Sequence, residues 1–409
     1  MIIKPRVKGF ICLTAHPDGA SRNVDEQIRY IKDNLPKGHA YKSVLILGGT
    51  TGYGLASAIA ASFGGDCSIG QYTHNNICCT KVLVVGYFQQ ANSGKTASVG
   101  MYNVANLIEQ ADKHGKWVKS ISCDAFSDRA KELVAQVVSN EMDKLDLIIY
   151  SLAAPKRTNP ISGTVHKSVL KPIGQVYTSK NLNTDTGEVG MVTLQPATEQ
   201  ECEDTVSVMG GEDWKMWIDY LSSRDLISTS ATNIAYSYIG PKLTHPIYKD
   251  GTIGKAKLNL KYTADQLNKD YEHIGLKSFV SIQKALVTQA SSAIPVVPLY
   301  ISILYDIMKK LNTHEHCIEQ ITRLFKLLND GVVVDCDGYI RLDDWEMSPQ
   351  VQQEISRRWE IVNTDNLKDL ADLNGYKADF LKLFGFGYDD IDYDRDVDEI
   401  ASEKNIIFG

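Results

Sequence analysis

The stretch KSVLILGGTTGYGLASAIAASFGG, residues 42–65, decides the fold class of this 409-residue chain. The apolar run 44–47 predicts a buried strand, and the alanine-rich run 55–63 predicts a helix. Four glycines, at positions 48, 49, 52 and 54, lie between them. Such glycines let a backbone approach a pyrophosphate closely, and the free amides at the start of the helix attract its negative charge. The stretch therefore predicts a dinucleotide-binding turn, and a tight strand–helix turn that binds nothing is the alternative.

Outward from this turn, strand and helix patterns alternate. Strands are predicted at 80–88, 117–126 and 145–155, and helices at 101–113 and 128–142. This alternation predicts an α/β fold with a Rossmann-type, doubly wound parallel sheet. The spacing of Gly48, Gly52 and Gly54 matches the variant of the dinucleotide turn found in short-chain dehydrogenases.

The second half adds a late strand at 278–288 and an apolar helix at 294–311 that opens near Pro298. We expect one large domain over 1–409. Its Rossmann core, with the nucleotide and catalytic motifs, would occupy about 1–290. The remainder, about 291–409, would supply extra pocket helices, a small β-hairpin and a C-terminal segment.

Composition excludes several functional classes. Hydrophobic residues make up 43% of the chain, charged residues 23%, and the formal net charge is −7, as in ordinary soluble globular proteins. We therefore expect neither a nucleic-acid nor a membrane partner. Pro5 and polar residues interrupt the first apolar run before it reaches signal-peptide length. We expect a cytoplasmic protein, and an organelle-targeting segment removed from its front would leave no trace in this sequence.

The cysteines show no metal-binding or disulfide spacing. All eight are scattered, without a Cys-x-x-Cys pair, which favours reduced thiols. Cys78 and Cys79 lie near His74, and the stretch HEHC places His314 and His316 beside Cys317. Neither group has a second matching half, so we expect no metal site.

Three other motifs do not fit their usual function. Residues 93–98 contain Gly-Lys-Thr, but a phosphate-binding P-loop needs a glycine at the position of Gln89. Residues 335–346 have the length of a calcium loop with the glycine misplaced, and a β-hairpin turning at Asp337 and Gly338 explains them better. The acidic stretch 388–399 predicts a solvated surface segment.

The stretch AYSYIGPKLTHPIYKDGTIGKAK, residues 235–257, carries two tyrosines and a lysine in a pattern that suggests chemistry. Tyr248 and Lys257 are nine positions apart and would face opposite sides of a regular helix. Gly251 and Gly254 predict a loop or a bent helix start that brings the two side chains together. Beside a nucleotide fold, such a set suggests hydride transfer, because a phenol near a cation supplies a proton and stabilises negative charge on oxygen. Tyrosines that merely complete a hydrophobic core are the alternative.

Many further blocks resemble one family in the same order along nearly the whole chain. They include GGTTGYGLAS, CDAFSD, YSLAAPKRT, HKSVLKPIG, VMGGEDW, AYSYIGP, GTIGKAK, KALVTQASSAIPVVPLY and HEHCIEQITRL. By these blocks the chain resembles the trans-2-enoyl-CoA reductase and type V enoyl-acyl-carrier-protein reductase family, a branch of the short-chain dehydrogenases. The resemblance implies NAD(P)H-dependent reduction of the carbon–carbon double bond of trans-2-enoyl thioesters, such as crotonyl-CoA, in fatty acid synthesis.

The resemblance also implies roles for the tyrosines and the lysine. Tyr248 would be the proton donor. Lys257 would bind the ribose of the cofactor and tune the phenol, and Tyr238 would hold the thioester oxygen of the substrate. Preorganised donors would then stabilise the enolate formed by hydride addition.

The cofactor contacts implied by the resemblance fall into five groups along the chain. Residues 48–53 would cradle the pyrophosphate, Asp124 and Ala125 would flank the adenine, and the helix from Pro298 would wall an apolar acyl pocket. In full, the implied contacts are Gly48, Gly49, Thr50, Thr51, Gly52, Tyr53, Asp124, Ala125, Leu152, Ala153, Lys257, Leu286, Val287 and Thr288. Of these, Leu152 and Ala153 would lie along the cofactor, and 286–288 would close over its nicotinamide end.

The chain departs from the family pattern on both sides of the second strand. Residues 66–80 look like an insertion, and Gln89 and Gln90 stand where NAD-specific Rossmann proteins place a carboxylate for the ribose hydroxyls. No acid there repels a 2′-phosphate, and Lys95 is a candidate to attract it. We therefore expect NADPH to be accepted alongside NADH. Without a second dinucleotide turn, we expect no flavin.

Two alternatives remain open from the sequence. A short-chain carbonyl reductase would share the nucleotide fold, and a non-catalytic nucleotide sensor would bind the cofactor without turnover. The carrier on the substrate is coenzyme A or acyl carrier protein, and blocks such as KALVTQASSAIPVVPLY favour coenzyme A. The family resemblance favours a monomer.

Overall fold

The computed structural model describes residues 1–9, 11–65 and 80–409. Nearly all of the expected insertion at 66–80, and the candidate metal ligands His74, Cys78 and Cys79, lie outside the described residues. Of the other cysteines, 12, 123, 202, 317 and 336 are free thiols, as predicted.

The described residues form fourteen strands and thirteen α-helices. The strands are β1 (Val7–Lys8), β2 (Ile11–Cys12), β3 (Ser43–Leu47), β4 (Lys81–Gly86), β5 (Trp117–Ser122), β6 (Leu145–Tyr150), β7 (Lys156–Thr158), β8 (Val165–Lys167), β9 (Tyr177–Leu182), β10 (Val189–Leu194), β11 (Ile227–Ser237), β12 (Lys277–Ile282), β13 (Tyr339–Arg341) and β14 (Ile406–Phe408). The helices are α1 (Pro17–Asn34), α2 (Gly52–Phe63), α3 (Val99–Lys113), α4 (Asp128–Glu141), α5 (Glu199–Met209), α6 (Glu212–Ser222), α7 (Thr252–Asp270), α8 (Gln289–Ser292), α9 (Val297–Lys310), α10 (Cys317–Asp330), α11 (Pro349–Ile361), α12 (Leu367–Leu370) and α13 (Leu373–Lys382).

A central sheet of eight strands organises the molecule. Its order is β13-β12-β11-β6-β3-β4-β5-β14, and all neighbouring strands are parallel. From β3 the chain winds outward through β4 and β5, and then returns to place β6 on the other side of β3. This reversal creates a crevice at the carboxyl ends of β3 and β6, where open parallel sheets bind ligands. The predicted doubly wound parallel sheet is confirmed.

The sheet is buried on both faces, because alternate side chains of each strand enter different hydrophobic cores. Val44 and Ile46 of β3 pack into the core shared with α1, α2, α3 and α9. Leu45 and Leu47 pack into the core shared with α4, α6 and α7. Burial on both faces explains why β3 reads in the sequence as a continuous apolar run rather than as an alternating one.

Strands that depend on distant partners were not predicted from the sequence. It did not predict β11, which pairs with β6 and β12, or β14, which pairs with β5 at the edge of the sheet. β13 and β14 come from the part of the chain beyond residue 291 and join the central sheet. The expected division of the domain into a core and a remainder near residue 290 stays a prediction.

The predicted β-hairpin at Asp337 and Gly338 is wrong. The turn exists, because the Asp335 side chain accepts hydrogen bonds from the backbone N–H groups of Asp337 (3.0 Å) and Tyr339 (2.9 Å). However, no strand precedes the turn, and β13 instead pairs in parallel with β12. The open edge of the sheet therefore supplies the hydrogen bonds that a hairpin partner would have made.

Two surface features complete the description. Most acidic side chains in 388–399 are exposed, as predicted, although Tyr388 and Val397 anchor this segment in the core. Within the described parts of the chain, no helix is both long enough and apolar enough to cross a bilayer.

Candidate active site

At three of its four glycines, the turn between β3 and α2 is packed too tightly for a larger residue. A Cβ at Gly48, where φ is +87°, would lie 2.3 Å from the carbonyl oxygen of Ser151. A Cβ at Gly54 would lie 2.1 Å from the carbonyl oxygen of Gly48. Space is open only at Gly52, where a Cβ would meet nothing closer than a Thr288 methyl carbon at 3.9 Å. The turn thus leaves the start of α2 open toward Thr288.

The amides at the start of α2 are available to a ligand. Thr51 is the N-cap residue, and its side chain makes no capping hydrogen bond. The turn itself is held by Asn103, whose amide donates to the carbonyl oxygen of Thr50 at 3.0 Å. Exposed backbone amides and the positive end of a twelve-residue helix suit a pyrophosphate. Tyr53 can contribute only its backbone here, since its hydroxyl donates to the carbonyl oxygen of Lys284 at 2.9 Å.

The other cofactor contacts expected from the sequence follow neighbouring strands of the sheet. Asp124 and Ala125 come after β5, Leu152 and Ala153 after β6, and Leu286, Val287 and Thr288 after β12. Because the strands are parallel, these residues share one edge of the sheet with the glycine turn. A cavity of about 320 Å³ opens between the glycine turn and the residues after β12 and is lined in part by Thr51, Gly52, Leu286 and Val287.

The two glutamines after β4 differ in what they can still bind. The Gln90 amide donates to the carbonyl oxygen of Ala401 (2.8 Å) and to Glu403 (3.1 Å), and its oxygen accepts from two backbone N–H groups. These contacts occupy the whole amide, so Gln90 has no polar atom left for a ribose hydroxyl. Gln89 is exposed and donates to the Tyr87 hydroxyl (3.2 Å). Lys95 is exposed in the turn that follows.

The segment between Tyr248 and Lys257 is non-helical at first, as predicted. A 3₁₀ turn (Lys242–Thr244) leads into Tyr248, Gly251 is the N-cap of α7, and Lys257 lies in the second turn of that helix. A Cβ at Gly254 would lie 1.9 Å from the Lys249 carbonyl oxygen, so the helix can pack this closely on the preceding turn only with glycine there.

The structure brings the two tyrosines together. The rings of Tyr238 and Tyr248 meet edge to face, with centroids 4.9 Å apart and planes at 85°. The Tyr238 hydroxyl donates to Glu346 Oε1 at 3.0 Å. The ammonium group of Lys257 donates to the carbonyl oxygen of Tyr236 at 3.3 Å. The set therefore lies at the carboxyl end of β11, two strands from the glycine turn.

Burial controls the proton equilibria of this set. It raises the pKa of the Tyr248 phenol, and the Glu346 carboxylate raises it further. It lowers the pKa of Lys257 to about 8. Desolvation and the buried Glu346 carboxylate thus both oppose ionisation of the phenol, and the tuning of the phenol by Lys257 stays a prediction. Tyr248 thus keeps its proton at neutral pH.

Sequence reasoning missed three fully buried polar residues around the tyrosines, namely Lys284, Tyr300 and Glu346. Burial lowers the pKa of Lys284 to about 8 and raises that of Glu346. Glu346 follows Tyr238 by 108 residues and lies in an acidic stretch that looks like a surface loop. The one local signal is its position beside Trp345 and Met347 in an otherwise polar segment.

The histidines of the HEHC stretch meet an aspartate rather than the cysteine. Ligand atoms of His314, His316 and Asp379 lie within 4.8 Å of one another. Cys317 does not belong to this group. The expectation of no metal site remains a prediction.

A doubly wound parallel sheet, a glycine turn and a tyrosine–lysine set at one edge define a dinucleotide-dependent oxidoreductase of the Rossmann type. The family model described as the trans-2-enoyl-CoA reductase catalytic region matches residues 95–328, more than half of the chain. A second model, described as the NAD(P)H binding domain of trans-2-enoyl-CoA reductase, matches residues 2–76. A third, described as the enoyl reductase FAD binding domain, matches residues 334–397. The chain belongs to the trans-2-enoyl-CoA reductase family.

Relatives of two names match at full length. An enoyl-[acyl-carrier-protein] reductase [NADH] of Flavobacterium johnsoniae is 48% identical over 99% of this chain and 100% of its own length. A trans-2-enoyl-CoA reductase [NADH] of Clostridium perfringens is 47% identical over 97% of this chain and 99% of its own. The crystal structure of Treponema denticola trans-2-enoyl-CoA reductase in complex with NAD superposes with a TM-score of 0.91 at 42% identity, covering 98% of both chains.

The segment matched by the FAD-binding model does not fit the usual way of holding a dinucleotide. That mode needs a βαβ unit with a glycine turn. Residues 334–397 contain the single strand β13 and the helices α11, α12 and α13. Their clearest role is to supply Glu346 and Gln352 to the surroundings of Tyr238.

The half-buried ammonium of Lys257 leads to a stability prediction. Its folded-state pKa of about 8 is below the value of 10.5 for an unperturbed lysine, so the unfolded chain holds the proton more tightly. The charged lysine therefore weakens the fold at neutral pH, and this cost declines as the pH rises from about 8 to about 10.5. We expect Lys257→Met to unfold at an equal or higher urea concentration than the wild type at neutral pH, with a gain of up to about 3 kcal/mol.

Lys255, exposed on the same helix, is the matched control, and Lys255→Met should leave the urea midpoint nearly unchanged. A Lys257→Met protein that unfolds at clearly lower urea than both the wild type and the control would contradict the account.

Proposed function

We propose that the protein uses NADH to reduce the carbon–carbon double bond of trans-2-enoyl thioesters, forming acyl thioesters in fatty acid synthesis. The observation that carries this proposal is the edge-to-face contact between Tyr238 and Tyr248 just after β11, where Lys257 contacts the Tyr236 carbonyl, at the same sheet edge as the glycine turn. The names of the full-length relatives support both the reaction and the use of NADH.

The cofactor, when bound, supplies a hydride to the β-carbon of the substrate. We propose that Lys257 exchanges its present contact with the Tyr236 carbonyl for the ribose hydroxyls of the cofactor. Tyr248 then gives its proton to the enolate, and its burial suits this role because the phenol stays protonated until it is needed. Tyr238 holds the thioester oxygen, and α9 walls the acyl pocket.

We propose coenzyme A as the carrier, with acyl carrier protein as the alternative. Both carriers present the same thioester, and the net charge of −7 gives no attraction for an acidic carrier protein. The cytoplasmic location and the monomeric state stay predictions, supported by composition and by family resemblance.

The catalytic role of Tyr248 is tested by following NADH oxidation with crotonyl-CoA. We expect Tyr248→Phe to lose about 100-fold or more in kcat, because the proton donor is gone, while NADH binding followed by fluorescence is retained. Tyr262→Phe is the control, since Tyr262 is 62% exposed on α7. Wild-type turnover in the Tyr248→Phe variant would sink the assignment, and turnover of simple alcohols without enoyl-CoA reduction would favour a carbonyl reductase.

We further propose that NADPH is accepted alongside NADH. Glutamines occupy positions 89 and 90 and Lys95 is exposed nearby, whereas the Glu403 carboxylate lies behind Gln90 and accepts its amide hydrogen bond at 3.1 Å. We expect kcat/KM with NADPH to approach that with NADH, and Lys95→Ala to lower it for NADPH alone. Lys326→Ala, an exposed lysine on α10, serves as the control. The proposal fails if NADPH gives no detectable turnover.

We also propose that turnover needs no flavin, since residues 334–397 lack a βαβ unit. Purified protein without flavin absorbance in the visible range should reduce crotonyl-CoA at full rate, and added FAD should not change that rate. A rate that appears only on addition of FAD would show that the segment binds flavin in another way.

A further inference from the structure

A fully buried carboxylate lies directly behind the tyrosine pair. Glu346 Oε1 accepts hydrogen bonds from the hydroxyls of both Tyr238 (3.0 Å) and Tyr300 (2.6 Å). Its other oxygen accepts from the backbone N–H of Ala285 at 2.7 Å. No part of the Glu346 side chain reaches the surface, since its exposure is 0%. Each oxygen of this carboxylate is thus held by a donor from a different part of the chain.

The position of Glu346 is itself fixed from behind. The Gln352 amide, at the start of α11, donates to the Glu346 carbonyl oxygen (2.7 Å) and to the Tyr300 hydroxyl (3.2 Å). Tyr300 is buried on α9. The carboxylate therefore cannot shift without breaking contacts to the two helices that flank it.

Burying a carboxylate is costly unless hydrogen bonds or a cation compensate it. Here three hydrogen bonds and the nearby Lys284 ammonium offset part of that cost, and the pKa of Glu346 is still raised by burial. An apolar side chain would fill this space more cheaply. The carboxylate therefore calls for an explanation other than stability.

The contact with Tyr238 provides one. A phenol has a single proton, and Tyr238 donates it to Glu346. That bond fixes the rotation of the Tyr238 ring, and the edge-to-face contact transmits this orientation to the ring of Tyr248. When substrate binds, the Tyr238 O–H group rotates from Glu346 toward the thioester oxygen. The hydrogen bond to Glu346 fixes the position from which this rotation starts.

We propose that Glu346 is a positioning residue for the reduction, which orients the hydroxyl and ring of Tyr238 and through them the proton donor Tyr248. The inference rests on the proposed function. It assigns to the segment beyond residue 334 a role in the reaction that requires no cofactor bound to that segment.

The substitution Glu346→Gln tests the proposal, because it replaces the carboxylate by an amide while the volume of the side chain stays nearly constant. The Ala285 N–H requires an acceptor, so the amide oxygen faces Ala285 and the NH₂ group faces the two phenols. Tyr238 then loses its acceptor. We expect kcat with crotonyl-CoA to fall by about tenfold to 100-fold, because a misplaced reacting group costs rate even when binding persists. The KM for NADH should change by less than about twofold, since this contact does not involve the cofactor site.

A double-mutant cycle separates positioning from a structural role. If Glu346 acts through the Tyr238 hydroxyl, the variant with both Tyr238→Phe and Glu346→Gln should be no slower than Tyr238→Phe alone. A purely structural role predicts that the two losses multiply. Asp343→Asn is the matched control, because Asp343 is an equally buried acid on the same segment. Its carboxylate accepts hydrogen bonds from Arg341 instead of from the tyrosines. It should keep wild-type kcat.

The outcomes separate the inference from the proposed function. An active wild type with an equally active Glu346→Gln variant overturns the inference alone, as do multiplying losses in the cycle. A wild type that does not reduce crotonyl-CoA overturns the proposed function and the inference with it. Thermal unfolding of each variant, compared with Asp343→Asn, shows whether a loss of rate has come from unfolding.

Discussion

Removal of water from the carboxyl end of β11 is the constraint on which the proposed chemistry depends. Desolvation raises the pKa of Tyr248 and lowers that of Lys257 to about 8. A phenol in this environment is a weak acid that retains its proton, and a lysine there holds its charge only loosely. The arrangement suits a proton donor that acts once negative charge has formed beside it. It would not suit a mechanism that requires the phenol to be ionised in advance.

The parallel sheet explains how distant parts of the chain meet at this place. Every strand of the central sheet ends on the same side, so turns from residue 48 to residue 288 converge on one edge. The glycines of the first turn add a steric requirement, since the backbone of Gly48 lies against Ser151 at the end of β6. Close packing of these two turns sets the crevice in which a dinucleotide would lie. The C-terminal segment closes the surroundings of Tyr238 through Glu346.

Local patterns in the sequence were enough for the elements that depend on neighbours in the chain. The strand and helix around the glycine turn follow from a continuous apolar run and an alanine-rich run, and the break between Tyr248 and Lys257 follows from Gly251 and Gly254. Their energies are local, so a single sequence reveals them.

Features that depend on distant partners could not be predicted in this way. Glu346 looks like a surface acid until α9 and the turn after β12 enclose it, and the polar stretch at 335–341 looks like a hairpin until the edge of β12 accepts β13. Gln90 resembles a ribose contact until the C-terminal segment occupies its amide. In each case a tertiary contact decides the outcome.

Isotope labelling of the product tests the central claim most directly, because it follows the hydride and the proton to separate carbons. With crotonyl-CoA and NADH deuterated at its transferable position, the account places deuterium on the β-carbon of the product. With ordinary NADH in heavy water, it places deuterium on the α-carbon, delivered through the exchangeable Tyr248 hydroxyl. Deuterium from NADH on the α-carbon, or on a carbinol carbon, would contradict the account.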